Sequence, residues 1–214
     1  DAEDATNWEF GARYAADFWH VEAIGFFNAY ENLIGTCTNS TGGGCVIGDQ
    51  FDGGEVEVSG VEMTGNMDLG KMFDLPFSMP LRGAYTYTHA EFQTDFNSGF
   101  GPWGNVSTGD ELPYIPEHQL FAAIGIDAGH FGGEIAVSWV DEVRTSAGQG
   151  ALDPTASVEG HTVTDASAWY AVTDNVRARV SVRNLTDEVY AVARRPAGVR
   201  PGAPRAVLFG LSVD

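Results

Sequence analysis

Apolar and polar residues alternate along most of the sequence, and they do so over unusually long stretches. In VRARVSVR, at residues 176–183, every second residue is Val or Ala and the others are Arg or Ser. Successive side chains of a β-strand point to opposite faces, so this period of two predicts strands with one apolar and one polar face. No segment shows the period of an amphipathic helix, and we therefore predict an all-β chain.

We count nine alternating segments, and the connections between them alternate in length. One segment, FWHVEAIGFFNAYENLIG, predicts a strand of about 16 residues, whereas strands of globular sheets average about 5–6. Short connections are expected near residues 15–18, 70–76, 129–133 and 173–175, and long ones near 36–54, 96–117, 146–160 and 191–204. Short turns on one side and long loops on the other are typical of an antiparallel transmembrane β-barrel.

The aromatic residues favour the same architecture. Several lie beside predicted turns or termini, as the girdles of a membrane barrel require, namely Trp8, Phe18, Trp19, Phe73, Phe77 and Phe131. A soluble β-sandwich would bury these rings in its core, but its strands are usually shorter and its polar face meets water. Strand length and loop asymmetry therefore favour the barrel over the sandwich.

The chain is strongly acidic, with 30 acidic and 11 basic residues and a formal net charge of −19. This balance argues against a nucleic-acid partner, because phosphate backbones select basic surfaces. Residues 151–214 are nearly neutral, so the acidic excess lies upstream, as a solvated surface or as an acidic mouth that attracts cations. No apolar run approaches the ~18 residues of a membrane helix. Any signal peptide is expected to lie upstream or to have been removed.

Cys37 and Cys45 are the only cysteines, and they bracket the flexible segment TNSTGGG. We predict a disulfide between them, which would contribute roughly 2–3 kcal/mol on the chain-entropy model. Such a pair indicates an oxidising compartment. A shared metal is the less favoured alternative, because no His or further Cys lies near in sequence.

Nothing in the sequence has the spacing of a catalytic or metal site. The five histidines are scattered, and neither a nucleophile elbow nor an HExxH motif is present. The pair Glu117 and His118 follows Pro116, a position more typical of a strand start than of acid–base chemistry. We therefore predict no enzymatic activity, no catalytic residue and no resident metal or cofactor.

The C-terminal segments carry a family resemblance. SVRNLTDEVY and RPAGVRPGAPRAVLFGLSV resemble the C-terminal end of TonB-dependent outer-membrane receptors, where an asparagine-leucine strand end precedes the last surface loop and the final strand. In this segment Asn184 and Asp187 are expected to hydrogen-bond neighbouring backbone. Upstream, NWEFGARY, VSGVEMTGNMDLG and LRGAYTYTHAEF resemble further strands of the same family in the expected order. YENLIG, the cysteine-bracketed loop and LPYIPEHQ are most similar to the ferric-dicitrate and related ferric-siderophore transporters.

The resemblance implies that residues 1–214 form about nine C-terminal strands of a 22-stranded plugged barrel in the bacterial outer membrane. The plug domain and the N-terminal strands are then expected outside this sequence. An isolated nine-stranded sheet would leave two unpaired edges in lipid, where each unsatisfied backbone group costs several kcal/mol. The implied partners are the plug and the remaining strands of the same receptor or of a second chain. Others are the TonB complex, reached through the plug, and outer-membrane lipid and lipopolysaccharide.

The function implied by the resemblance is TonB-dependent uptake of a ferric chelate, ferric citrate or a siderophore, as cargo and not as cofactor. Candidate ligand contacts in the last long loop are Arg194, Arg195 and Arg200, because guanidinium groups match carboxylates in bidentate geometry. Trp103 and Tyr114 are candidates for covering a bound chelate. The alternatives are a passive porin, a structural barrel component, or one chain of a split barrel.

Overall fold

The computed structural model describes residues 2–37, 46–195 and 198–213 of the 214-residue chain. Nine strands form one sheet, namely β1 (Asp4–Ala15), β2 (Trp19–Glu31), β5 (Val56–Asp68), β6 (Pro80–Phe92), β9 (His118–Asp127), β10 (Phe131–Val140), β13 (His161–Thr173), β14 (Val176–Arg183) and β17 (Ala206–Val213). Eight short strands lie in the described parts of the connections, namely β3 (Ile34–Thr36), β4 (Gln50–Asp52), β7 (Phe96–Asn97), β8 (Asn105–Val106), β11 (Val143–Arg144), β12 (Ser157–Val158), β15 (Ala191–Ala193) and β16 (Arg200–Pro201). One helical turn, α1 (Leu69–Met72), lies between β5 and β6. In the described part of the chain, no helix has the length and apolar character needed to span a membrane.

The nine-stranded sheet is an antiparallel meander in which each strand pairs with the sheet strands before and after it in the chain. Its order is β1-β2-β5-β6-β9-β10-β13-β14-β17. The eight short strands form four separate two-stranded ribbons, one in each long connection. The predicted all-β fold with nine strands is therefore confirmed.

The connections alternate in length as predicted. At the end of the sheet that we call the short-turn end, they comprise residues 16–18, 69–79, 128–130 and 174–175. At the opposite, long-loop end they comprise residues 32–55, 93–117, 141–160 and 184–205. The long strand predicted near residue 19 ends earlier than expected, at Glu31, because Asn32 takes a positive φ of 54° and turns the chain.

One face of the sheet is apolar from edge to edge. Residues opposite each other in neighbouring strands share a face, and the register places Phe10 opposite Gly25 and Gly25 opposite Val61. The apolar side chains on this face are uncovered, with Phe10 86% and Phe209 83% exposed. A soluble sandwich would cover such a face with a second sheet, whereas a barrel turns it toward lipid.

The other face is polar and charged. It carries two ion pairs between neighbouring or next-neighbouring strands, Arg13 with Glu22 and Arg82 with Glu134. All four side chains are partly or largely exposed, so these pairs contribute little stability on their own. The sheet thus has the outward-apolar and inward-polar alternation of a membrane barrel.

The hydrophobic core of the described chain lies at the long-loop end and not between layers of sheet. Its buried residues are Val56, Phe92 and Val106, which come from two strands of the meander and from the ribbon strand β8. Partly buried side chains of three loops pack against them. The long loops therefore form a packed layer on top of the strands.

Candidate ligand-binding surface

Trp103 lies at the centre of an aromatic cluster that joins two of the long loops. Its ring contacts four phenylalanines, with centroid distances of 5.1 Å to Phe51, 5.5 Å to Phe92, 6.0 Å to Phe96 and 5.2 Å to Phe100. All four contacts are edge-to-face, the geometry that aromatic quadrupoles prefer. Trp103 thus packs within the loop layer, and its contact with a ligand stays a prediction.

A buried arginine connects the next pair of loops. The Arg144 guanidinium is largely buried and donates from Nε to Glu111 Oε2 at 2.7 Å and from Nη2 to the Gly150 carbonyl at 3.0 Å. The backbone N–H of Tyr114 donates to the Arg144 carbonyl at 3.0 Å. These bonds fix the 93–117 loop to the 141–160 loop directly before β9.

The last long loop meets the same surface through Tyr114 and Arg194. The backbone N–H of Arg194 lies 3.4 Å from the Tyr114 hydroxyl oxygen, across 80 positions of sequence. Tyr114 itself has a positive φ of 64°, a backbone conformation that is uncommon for a residue other than glycine. Arg195 lies beside Gly101, since a Cβ built on that glycine would be 3.4 Å from Arg195 Nη1.

Arg194 is the most informative of these residues. Its Nε atom is buried and has no hydrogen-bond partner among the described residues. A buried donor without a partner costs free energy, and a carboxylate or other anion beside it would remove that cost. Chemically, Tyr114, Arg194 and Arg195 offer donors and positive charge to an anionic ligand at the long-loop end. We call these three residues the arginine–tyrosine site.

Arg200 occupies a different place on the same ribbon. It begins β16, lies opposite Ala193 in β15 and is exposed. All three predicted arginines therefore lie in or directly beside the β15–β16 ribbon, two of them just after β15 and one at the start of β16. Of the five predicted ligand residues, Tyr114 and Arg194 are in contact, Arg195 is close to the loop of Trp103, and Arg200 lies apart.

The base of this loop is fixed by a buried asparagine, as the sequence predicted. Asn184 Nδ2 donates to the carbonyls of Glu188 at 2.8 Å and Ala203 at 3.0 Å, and its Oδ1 accepts from the Glu188 N–H at 2.8 Å. Its own backbone N–H donates to Asp165 Oδ1 at 2.8 Å. Asn184 thus joins both ends of the 184–205 loop to β13.

His161 and Tyr190 form a pair that the sequence did not indicate. Their rings stack with centroids 4.3 Å apart, and His161 Nδ1 is buried without a hydrogen-bond partner in the described chain. Gly202 permits the pair, because a Cβ there would lie 2.1 Å from Tyr190 Cζ. The residues are far apart in sequence, and no periodic pattern links a strand-start histidine to a loop tyrosine.

The acidic loop residues include carboxylates that are fixed by local hydrogen bonds. The backbone N–H and the hydroxyl of Thr108 donate to Asp95 Oδ1 at 2.6 Å and 3.0 Å, and these bonds lower the pKa of Asp95. Thr155 lowers the pKa of Asp153 in the same way. Both groups therefore stay ionised in neutral water. No group of three or more His, Cys, Asp or Glu residues in the described ranges has the geometry of a metal site.

Cys37 is buried, whereas its predicted partner Cys45 lies outside the described residues. The disulfide between them stays a prediction.

The Asp187–Arg205 ion pair predicts a pH dependence for the last loop. Arg205 donates to Asp187 at 2.6 Å and lowers the pKa of this carboxyl group below its usual value of about 3.9. A depressed carboxyl pKa contributes stability that is present above the usual pKa and is lost as the pH falls through the lowered value. We expect hydrogen-exchange protection of residues 184–205 to be unchanged from pH 8 to 5 and to fall below about pH 4. Asp187→Asn is the control, and equal acid sensitivity of both proteins would contradict the assignment.

The fold and the loop layer together define the class of protein. A meander with an apolar outer face, short turns at one end and packed long loops at the other is part of the wall of a transmembrane β-barrel. Residues 1–185 match the family model described as TonB dependent receptor-like, beta-barrel, and the chain belongs to that family. This is a family of receptors of the bacterial outer membrane, as the sequence predicted.

Solved structures show the same fold at low sequence identity. The ferric-catecholate import receptor Fiu from E. coli K12 aligns with a TM-score of 0.70 at 21% identity, over 99% of this chain and 27% of that one. The unliganded ferric citrate transporter FecA aligns with a TM-score of 0.72 at 18% identity, over 98% of this chain and 31% of FecA. The copper transporter OprC aligns with a TM-score of 0.71 at 16% identity, over 99% of this chain and 31% of OprC. This chain therefore spans less than a third of each of these proteins, and no curated protein sequence matches it significantly.

Proposed function

We propose that this chain forms barrel wall and surface loops of a bacterial outer-membrane receptor that takes up a ferric chelate, either ferric citrate or a siderophore. The observation that carries the proposal is the arginine–tyrosine site, in which the Arg194 Nε beside Tyr114 is buried and has no hydrogen-bond partner in the described ranges of the chain. Guanidinium groups bind carboxylates and other planar anions in bidentate geometry. Transport and not catalysis is the proposed activity.

The membrane placement follows the asymmetry of the sheet. The short-turn end faces the periplasm, the long-loop end faces the cell exterior, and the apolar face contacts lipid and lipopolysaccharide. The polar face lines the lumen, where a plug domain from the same receptor or from a second chain would lie. Energy from the TonB complex would reach the cargo through that plug.

The arginine–tyrosine site is tested in the whole receptor by replacing Arg194. We expect Arg194→Ala to weaken ferric-citrate or ferric-siderophore binding about tenfold, because one charge-assisted hydrogen bond is worth about 1.5 kcal/mol. Calorimetric titration with both chelates, and with a copper salt as comparison cargo, measures this change. Arg194→Lys keeps the charge but not the planar fork, so we expect it to remain weakened.

The matched control is Arg179→Ala, on the polar face of β14 and away from the loops, and we expect it to bind chelate normally. Wild-type affinity in Arg194→Ala would contradict the role of this site. A passive porin or structural barrel would be indicated instead if chelate uptake into cells continued unchanged without TonB.

A further inference from the structure

The apolar face of the sheet contains a groove that the packing of the strands does not explain. It has a volume of about 610 Å³ and is centred on β5 and β6. Gly65 and Gly83, which lie directly opposite each other, form its floor together with Ala122 in the next strand. One wall is formed by Met63, Tyr85 and Leu120, and the other by Met67 and Leu81, with Trp19 at one end.

The backbone does not require glycine at these two positions. Neither residue has a positive φ. A Cβ would meet nothing closer than the His20 carbonyl oxygen at 3.6 Å for Gly65, or the Phe121 carbonyl oxygen at 3.8 Å for Gly83. By contrast, a Cβ on Gly60, which lies in β5 like Gly65, would be 2.1 Å from the Tyr87 carbonyl oxygen. Glycine is unfavourable inside a strand, so the fold alone does not account for an open floor at Gly65 and Gly83.

The dimensions of the groove suit a hydrocarbon chain. In register, Val21, Gly65, Gly83 and Ala122 form a row across four neighbouring strands. Three strand spacings give the row a length of about 14 Å. Larger apolar side chains stand in the rows on both sides, so a flexible chain lying along the floor would contact floor and walls together.

The groove lies near the short-turn end, beside the one turn that offers a cation to a lipid. The connection between β5 and β6 contains Lys71, which is the only lysine of the sequence and is exposed. The same turn exposes Met72, Phe73 and Leu75, by 47%, 61% and 38%. Exposed apolar residues beside a lysine are typical of a segment at the membrane interface, where the ammonium group reaches lipid phosphate.

We propose that this groove binds one acyl chain of an anionic phospholipid of the periplasmic leaflet, whose phosphate lies at the Lys71 turn. The proposal rests on the membrane placement proposed above, and it is independent of the cargo. The position of the lysine supports it, because this strongly acidic chain places its single lysine, exposed, in the turn that joins the two strands of the groove floor, three positions before Asp74.

The test uses the whole receptor, extracted in mild detergent and examined by native mass spectrometry with added phosphatidylglycerol. Gly83→Leu fills the floor without a backbone clash, and Ala178→Leu adds the same side chain elsewhere on the apolar face. We expect one retained lipid on the wild type and on Ala178→Leu, and at least fivefold less on Gly83→Leu. Equal lipid retention by the two variants would overturn the proposal. A second copy of the receptor is the alternative occupant, and the proposal is also overturned if the wild type is a dimer that Gly83→Leu dissociates without losing lipid.

A second measurement does not depend on how a variant folds. A phosphatidylglycerol with a photoreactive acyl chain is expected to label the wild-type peptides that contain residues 63–67 and 81–85, and labelling spread evenly over the apolar face would contradict the site.

Lys71→Gln is expected to lower the preference for phosphatidylglycerol over phosphatidylcholine at least threefold. An unchanged preference would overturn the role of the lysine turn. Chelate titration of the same samples distinguishes failure of this site from failure of the proposed cargo.

Discussion

Trp103→Ala is expected to unfold the loop layer while leaving the barrel wall intact. Replacing a well-packed Trp with Ala typically costs about 3–5 kcal/mol, and we expect the lower value here because Trp103 is partly exposed. The four phenylalanines around it come from loops and a strand end and would lose their shared contact. The hydrogen bonds of the sheet do not involve this ring, so the strands should remain paired.

Hydrogen exchange of the whole receptor measures this effect by region. About 3 kcal/mol corresponds to a more than hundredfold loss of protection. We expect that loss at loop amides such as Gly109 N–H, which donates to the Phe92 carbonyl, and no change in the paired strands. Trp8→Ala is the matched control, because Trp8 is 70% exposed on the apolar face and lies in the middle of β1. Unchanged protection of residues 93–117 in Trp103→Ala would show that the aromatic cluster does not order the loops.

The same variant tests whether the arginine–tyrosine site is built in advance of ligand. Arg195 lies against Gly101, two positions before Trp103, so disorder in this loop would displace one arginine without altering its charge. Chelate affinity should then fall in Trp103→Ala even if Trp103 never touches the chelate. If protection is lost and affinity is not, chelate binding does not require an ordered loop around Trp103.

The strands were predictable from the sequence because their signal is local. A period of two requires only neighbouring residues, and segments such as VRARVSVR retain it along the whole strand. The alternation of short turns and long loops followed from the same counting. Resemblance then supplied the family, and the family model matched the residues independently.

The loop layer was not predictable in the same way, because its contacts join residues that no period relates. Tyr114 and Arg194 were proposed for separate reasons, and only the fold shows that they touch across 80 positions of sequence. The sequence predicts Trp103 as a loop aromatic that could cover a ligand, but its packing on four phenylalanines is visible only in the fold. Arg144 joins two loops from inside the layer and carried no sequence signal.

Replacing Asn184 is expected to release the last long loop and to weaken the placement of β17. The side chain is 1% exposed and makes three hydrogen bonds to the backbone of Glu188 and Ala203. Asn184→Ala would remove all three hydrogen bonds, and because Glu188 and Ala203 are exposed, water can replace part of them, so we expect a cost on the order of 2 kcal/mol in total. The residue also has a positive φ of 48°, a conformation that asparagine tolerates and alanine does not.

A pair of variants separates the hydrogen bonds from the backbone conformation. Asn184→Gly removes the side chain but accepts the positive φ, so it should be less destabilising than Asn184→Ala by about 1 kcal/mol. The fraction of receptor that keeps its folded mobility in unheated gels, followed across temperature, measures the stability of the assembled barrel. Hydrogen exchange of residues 184–205 measures the loop.

The order of these effects decides what Asn184 does. The 184–205 loop connects β14 to β17, which pair over eight residues. A disordered loop would hold the start of β17 less firmly beside β14, so the loss of loop order would weaken this strand pairing. In both variants we expect the loop to lose hydrogen-exchange protection at a lower temperature than the one at which the barrel loses its folded mobility. If barrel stability falls while the loop remains protected, the side-chain hydrogen bonds of Asn184 do not hold the loop, and the residue acts through the backbone conformation at the end of β14.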